Sequence, residues 1–192
     1  MNNITFAQYR KIDLCIFSAL LVISEAITTL ATRSWFDKQP IAISTTLLFI
    51  CIMMMRWGAF SLIPAALGGA VFCFMSGASW EQYLIYVLGN CLTALALLWF
   101  KVFKKDEIRR GGFKLFFFVL SNYLLLQIGR WLVSIPFGGF KSIVTFLATD
   151  IISLLFAAVI MFILRSVDGM IEDQKAYLFR LQREKEDNGY QH

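Results

Sequence analysis

Apolar residues in this chain gather into six long runs, covering residues 12–32, 41–55, 59–75, 83–103, 113–135 and 143–164. A helix needs about 20 apolar residues to cross roughly 30 Å of hydrocarbon, so the pattern predicts an all-α membrane protein with six transmembrane helices. The first run follows a polar head ending in Arg10-Lys11. It exceeds the roughly 7–15 residues of a signal-peptide core, holds Glu25 and precedes further runs, so it reads as a retained helix. Pro40 introduces the second run, where a proline suits the first helical turn. Pro64 and Gly68-Gly69 interrupt the third. These two runs are short for full crossings, which places the Arg56-Trp57-Gly58 turn between them within the membrane interface.

Charge orients the array. With the N-terminus in the cytoplasm, fourteen of the 18 Lys and Arg residues lie on that side, against Arg33, Lys38, Arg130 and Lys141 on the other. That asymmetry predicts cytoplasmic termini. Residues 1–165 read as one six-helix transmembrane domain and residues 166–192 as a cytoplasmic amphipathic tail. In the tail, Val167, Met170, Ile171, Leu178 and Leu181 recur at helical spacing. Its four basic and six acidic residues after Arg165 make it a poor anchor to anionic lipid. It reads either as a cytoplasmic helical extension of the sixth helix or as a docking helix for a partner.

Composition agrees with a lipid environment. Of 192 residues, 58% are hydrophobic and 16% charged, against roughly 45–50% and about 25% in soluble domains. Disordered, collagen-like, coiled-coil and disulfide-scaffold classes are excluded, and a soluble enzyme nearly so. The net charge of +5 is spread between apolar runs, not gathered on one face, so nucleic acid is not an expected partner. Cys15, Cys51, Cys73 and Cys91 all fall inside apolar runs without a CxxC spacing and read as reduced, buried residues. The single histidine is His192, which leaves no His-ligated metal site and no His-dependent triad in one chain. Phosphate-cradling loops, a nucleophile elbow and HExxH are absent. Neither catalytic residues nor a cofactor are expected.

Polar residues inside a bilayer are costly and mark pathways or pockets, so their depth carries the remaining information. Glu25, Thr28, Thr29 and Thr32 occupy the outer half of the first helix. Glu81, Gln82, Tyr86 and Asn90 start the fourth helix from the outside. Tyr123, Gln127, Arg130 and Ser134 lie on one narrow face of the fifth. Ser142, Thr145 and Thr149 run down the sixth, with Asp150 about 13–14 Å below Lys141 at 1.5 Å per residue. The inner halves are apolar, as in residues 116–120 and 154–164. This asymmetry suits a pocket open to the outside and sealed beneath by Leu and Phe.

Several roles remain open at this level. Trp35, Trp80 and Tyr83 suit either an aromatic belt or ligand stacking, joined in the second case by Tyr86. Arg130 suits snorkelling to headgroups, an ion pair with Glu25, Glu81 or Asp150, or contact with an anionic ligand group. Glu25 and Asp150 suit ligand binding or internal pairing. Asn90, Tyr123, Gln127, Arg130 and Lys141 are candidates for orienting hydrogen bonds. The aromatic content favours a ring-containing or large ligand, up to a corrinoid.

The segments Pro40-Ile41-Ala42-Ile43-Ser44, Arg56-Trp57-Gly58-Ala59, Pro64-Ala65-Ala66-Leu67-Gly68-Gly69 and Tyr86-Val87-Leu88-Gly89-Asn90 resemble the S components of energy-coupling factor (ECF) vitamin transporters. The resemblance covers about residues 12–100, with length and span number matching beyond. S components commonly carry small residues four apart on helix one, against the shared membrane subunit. Here Ser18, Ala19 and Ala26 occupy that region without an Ala-x-x-x-Ala pair. The resemblance implies a multi-pass protein of a bacterial plasma membrane that binds a small-molecule vitamin in an outward pocket. It would lack ATPase activity, lie in membrane lipid and couple to a transmembrane T subunit and two cytoplasmic ATPase subunits. A non-transporting scaffold similar to the cell-shape protein MreD, or a small channel or carrier acting alone, are the other readings.

Overall fold

The computed structural model describes residues 5–35, 42–138 and 143–189, with side chains up to residue 184. Every described element is helical, with no strand. The helices are α1 (Phe6–Trp35), α2 (Thr46–Trp57), α3 (Leu62–Ser76), α4 (Trp80–Asn90), α5 (Trp99–Val102), α6 (Lys105–Arg110), α7 (Gly112–Ser134), α8 (Ile143–Thr149), α9 (Ile151–Leu164) and α10 (Gln174–Gly189). A tighter 3-10 stretch, Cys91–Leu98, joins α4 to α5. The pair α8 and α9 is bent by 51°.

Among the described residues, four helical stretches are long and apolar enough to cross a membrane: Phe6–Trp35, Thr46–Ser76, Trp80–Val102 and Gly112–Phe137. The bent pair adds a fifth when it is counted as one span. The count falls below the six expected because residues 46–76 are helical with hardly a break. This stretch is nevertheless not straight. Gly58 at its centre takes φ 61° and ψ −118°, which no helix accommodates. A Cβ on Gly68 would lie 2.3 Å from the Thr46 hydroxyl, whereas 22 residues of straight helix span about 33 Å. The chain therefore folds back at Gly58, and α2 and α3 lie side by side.

Contacts along the other helices show the same alternation. Glu25 meets Thr45 and Thr46 while Asp13 meets Arg56 and Trp57, so α1 and α2 run in opposite directions. Arg33 on α1 donates to the Met75 carbonyl at the end of α3. Gly69 on α3 abuts Tyr86 on α4, and Gly89 on α4 abuts Gly129 and Arg130 on α7. The last contact is backbone to backbone: a Cβ on Gly129 would meet the Gly89 carbonyl oxygen at 2.0 Å. Both described ends come to one face of the bundle, called here the terminal face. There Tyr9 donates to Gln174.

The polarity of α1 is reversed relative to a soluble amphipathic helix. Its buried stripe is Asp13, Phe17, Leu21, Glu25, Thr29 and Thr32. Its exposed side carries Ile12, Ile16, Leu20, Ile23, Ile27 and Leu30. An outer surface greasier than the stripe it buries is stable only in an apolar solvent. The chain is thus built as a multi-pass membrane protein. All 12 residues of α2 are buried. It is the axis of the bundle, packed with Leu47, Ile50, Met53 and Met54 against Phe118, Leu126 and Met161.

Residues 165–173 break the helix, so the tail is not a straight extension of α9. Arg56 donates to the carbonyls of Gly169 and Met170 at 2.5 and 2.9 Å, and Ile171 and Gln174 are buried. The first part of the tail belongs to the bundle. Lys105 pairs with Asp173 at 2.7 Å, and Arg109 pairs with Asp168 at 3.2 Å and with Glu172.

Candidate functional site

Away from the terminal face the bundle encloses a cavity of about 200 Å³. Its walls are Phe72 from α3, Tyr86 from α4, Gln127 and Arg130 from α7, Thr145, Phe146 and Thr149 from α8, and Asp150 at the bend. Ala42 and Ser44 complete it from the extended segment before α2. Thr145 is exposed, which places it at the rim. Two breaks in regular structure meet here. Ala42 N–H donates to the Thr149 carbonyl at 2.9 Å and Ser44 N–H to Ser153 Oγ at 2.8 Å. The unwound backbone is thereby satisfied inside the protein, the one place at membrane depth where irregular chain is tolerated.

Arg130 is the centre of the site. Its Nη1 donates to Asp150 Oδ2 at 3.0 Å and to Gln127 Oε1 at 3.4 Å. Its Nε donates to Asn90 Oδ1 at 2.9 Å, and the guanidinium lies 4.4 Å from the Tyr86 ring centroid. Asp150 also accepts from Gln127 Nε2 at 2.9 Å and from the Ser153 hydroxyl. Arg130 Nη2 makes no hydrogen bond to another described residue. A buried, water-poor setting strengthens such charge-assisted contacts. The arrangement can hold a small solute by an arginine donor, an amide, hydroxyls and three aromatic walls.

Of the residues expected from the sequence, Tyr86, Gln127, Arg130 and Asp150 are brought together at the cavity. Asn90 and Tyr123 stand behind it. Asn90 joins Arg130 to the Ala65 carbonyl, and Tyr123 donates to the Leu147 carbonyl at 2.5 Å, fastening α7 to α8. Arg130 is buried and pairs with Asp150, not with Glu25 or Glu81. Trp35, Trp80, Glu81 and Tyr83 do not line the cavity. Trp35 and Trp80 are 77% and 65% exposed near the bundle's rim, and Trp80 packs edge-on against Phe137. Lys141 lies outside the described residues. Ser18 and Ala26 are half-buried and Ala19 exposed on α1.

Phe72, Ser44, Phe146 and Ser153 complete the site without having been expected. Ser153 follows Asp150 by three residues, a helical spacing that hinted at the bond it makes. Phe72 gave no signal, because an aromatic residue in an apolar run looks the same on either face. Glu25 lies beside the cavity and holds the start of α2. Its Oε2 accepts from Thr45 N–H and Thr45 Oγ1, both at 2.8 Å, and from Thr46 N–H at 3.1 Å. A carboxylate suits the positive end of a helix.

Among the described residues no group of three His, Cys, Asp or Glu side chains is placed to hold a metal ion. A second cavity of about 230 Å³ lies at the terminal face among Lys105, Arg109, Arg110, Glu172, Asp173 and Arg180. Its cations are already paired with neighbouring carboxylates, so it acts as a clasp between α6 and the tail. The chain matches no family model, no curated protein and no solved structure.

Proposed function

We propose that this chain is the substrate-binding S component of an ECF-type importer in a bacterial plasma membrane. In this reading six helices cross the bilayer, both termini are cytoplasmic, and a small water-soluble vitamin enters the cavity from outside. The bound solute is then delivered through a transmembrane T subunit and two ATPase subunits. The observation that carries the reading is the position of the Arg130–Asp150–Gln127 cluster in a cavity remote from the terminal face. Toward the terminal face Leu47, Ile50, Met54, Leu115 and Phe118 are buried in the core, and this apolar packing supports a closed floor rather than a channel. A six-span arrangement with that face cytoplasmic assigns fourteen of the 18 Lys and Arg residues to the cytoplasmic side.

Size narrows the ligand. Pockets for drug-sized molecules measure roughly 300–1,000 Å³, and this one is about 200 Å³. That space favours a single-ring or short-chain vitamin over a corrinoid. Phe72 and Tyr86, stacked on each other at 5.0 Å between centroids, give the cavity an aromatic side.

The test is native mass spectrometry of the protein purified in mild detergent, followed by titration with a panel of water-soluble vitamins. A small molecule released from the folded protein, and bound again on titration, is the expected result. A scaffold or cell-shape role needs no occupied cavity, and failure to bind any of the panel would favour it. Co-purification of ATPase subunits separates an ECF complex from a carrier acting alone.

A further inference from the structure

Five charged residues are buried in the described bundle: Asp13, Glu25, Arg56, Arg130 and Asp150. Four of them form two ion pairs, Asp13 with Arg56 and Arg130 with Asp150. Glu25 is left with no cation. Its side chain is fully buried, and while Oε2 accepts three hydrogen bonds, Oε1 has no partner. An unpaired carboxylate in a low-dielectric interior is costly.

Two further oxygens beside it are also unpartnered. Thr29, one helical turn from Glu25 on the same buried stripe, leaves its Oγ1 without a bond, and so does Thr46, whose N–H is held by Glu25. This is not how the neighbouring threonines behave. Thr28 and Thr32 donate to the carbonyls four residues earlier, at 2.9 and 2.7 Å. The Thr46 side chain instead packs against the Gly68 backbone of α3, where a Cβ would lie 2.3 Å from its hydroxyl. Three buried oxygen atoms on adjoining residues therefore bond neither each other nor the backbone, and Glu25 is the one ionisable group among them.

We propose that Glu25 Oε1, Thr29 Oγ1 and Thr46 Oγ1 form a binding site for one monovalent alkali cation, Na⁺ in the first instance. A hard cation takes oxygen ligands of this kind, and interrupted helices at membrane depth create such sites. The cation balances the Glu25 charge and uses all three free oxygens. A proton on Glu25 would supply a single donor, and a water molecule would leave the charge in place. Because Glu25 holds the first N–H groups of α2 and Ser44 belongs to the cavity wall, occupancy of the site steadies that wall. The proposal stands whatever solute the cavity binds.

The experiment uses the full-length protein in detergent, with its melting temperature followed in NaCl, KCl and N-methylglucamine chloride at fixed ionic strength and pH. A ligand of the native state raises the melting point saturably with concentration. Na⁺ is expected to do so, N-methylglucamine is not, and Thr29→Val should raise the half-saturating Na⁺ concentration at least about tenfold. Glu25→Gln should abolish the response. If Glu25→Gln does not fold, Thr29→Val decides alone. The proposal is overturned by equal melting points in all three salts, which leaves only water in the site, or by a response unchanged in Thr29→Val. It is equally overturned if acidification alone reproduces the shift and alkali ions add nothing, since the site then holds a proton.

Discussion

Two buried arginine–aspartate pairs stand at opposite ends of this bundle, and they are built differently. At the terminal face Arg56 grips Asp13 with two donors, Nη2 at 2.6 Å and Nε at 2.9 Å, and gives Nη1 to two backbone carbonyls. Trp57 supplies a further N–H to Asp13 at 2.5 Å, and Phe17 covers the guanidinium at 4.9 Å. At the other end Arg130 touches Asp150 through a single nitrogen, reaches Gln127 at 3.4 Å and borders a hollow. The same two residue types make a closed joint in one place and an open site in the other. A pair saturated by protein groups fixes where helices and tail meet. The other pair keeps donor capacity that no described residue uses, beside a cavity.

The sharpest way to break this contrast is to remove Arg56. Breaking a buried pair by deleting one partner costs about 3–5 kcal/mol. Arg56→Ala would leave Asp13 with only the Trp57 N–H and free the Gly169 and Met170 carbonyls. A large drop in melting temperature and loss of a monodisperse peak on size-exclusion chromatography are expected. Wild-type melting in this variant would show that the joint does not hold the terminal face together.

Gly129→Ala ranks next. Its new Cβ meets main chain, not a movable side chain, at 2.0 Å. Overpacking of this kind costs typically 1–3 kcal/mol. Gly129 precedes Arg130, so the shift of α7 from α4 also pulls the guanidinium from Asn90. Both melting temperature and affinity for the cavity ligand should fall together, and a stability loss with unchanged affinity would separate the helix contact from the site.

Arg130→Ala tests the open pair itself. Asp150 would keep Gln127 and Ser153 as donors, and the adjoining cavity can admit water. The destabilisation should therefore be smaller than for Arg56→Ala. Affinity for the cavity ligand should fall at least about tenfold, roughly 1.4 kcal/mol. A calorimetric titration giving wild-type affinity would remove Arg130 from the binding role, and a stability loss equal to that of Arg56→Ala would dissolve the contrast.

The open site was more legible in the sequence than the closed joint, for physical reasons. Gln127 and Arg130 share a helical face and Asp150 stands at matching depth, so their convergence followed from spacing and rise alone. Asp13 lay so near the polar head, and Arg56 in a turn expected at the interface, that neither looked buried. The apolar run of α2 carried no clue to its central place, because leucine, isoleucine and methionine suit lipid and protein interior equally. The bend at Asp150 lies where neither glycine nor proline interrupts the sequence. It is made instead by Ala42 and Ser44, more than 100 residues earlier, bonding to Thr149 and Ser153. Trp35 and Trp80 stand exposed, away from the described cavity, and their sequence context could not foretell this because amphipathic rings gain as much from a membrane edge as from a pocket. Tertiary partners so distant in sequence leave no local periodicity to read.

The smallest expected effect lies on the surface of the closed end. Arg110 and Asp106 pair at 3.1 Å with side chains 78% and 58% exposed. Water screens such a pair, and holding two long side chains together costs entropy, so exposed pairs contribute about 0–1 kcal/mol. Arg110→Ala should shift the melting temperature only slightly, and raising the salt should shrink the difference further, since the screening length falls from about 10 Å at 0.1 M to about 3 Å at 1 M. The pair formed by Arg56 should be nearly indifferent to the same change in salt, because it is shielded from the solvent that carries the ions. A melting point as sensitive to Arg110 as to Arg56 would mean that the terminal face is held by its surface clasp, and that the buried joint is only one contact among many.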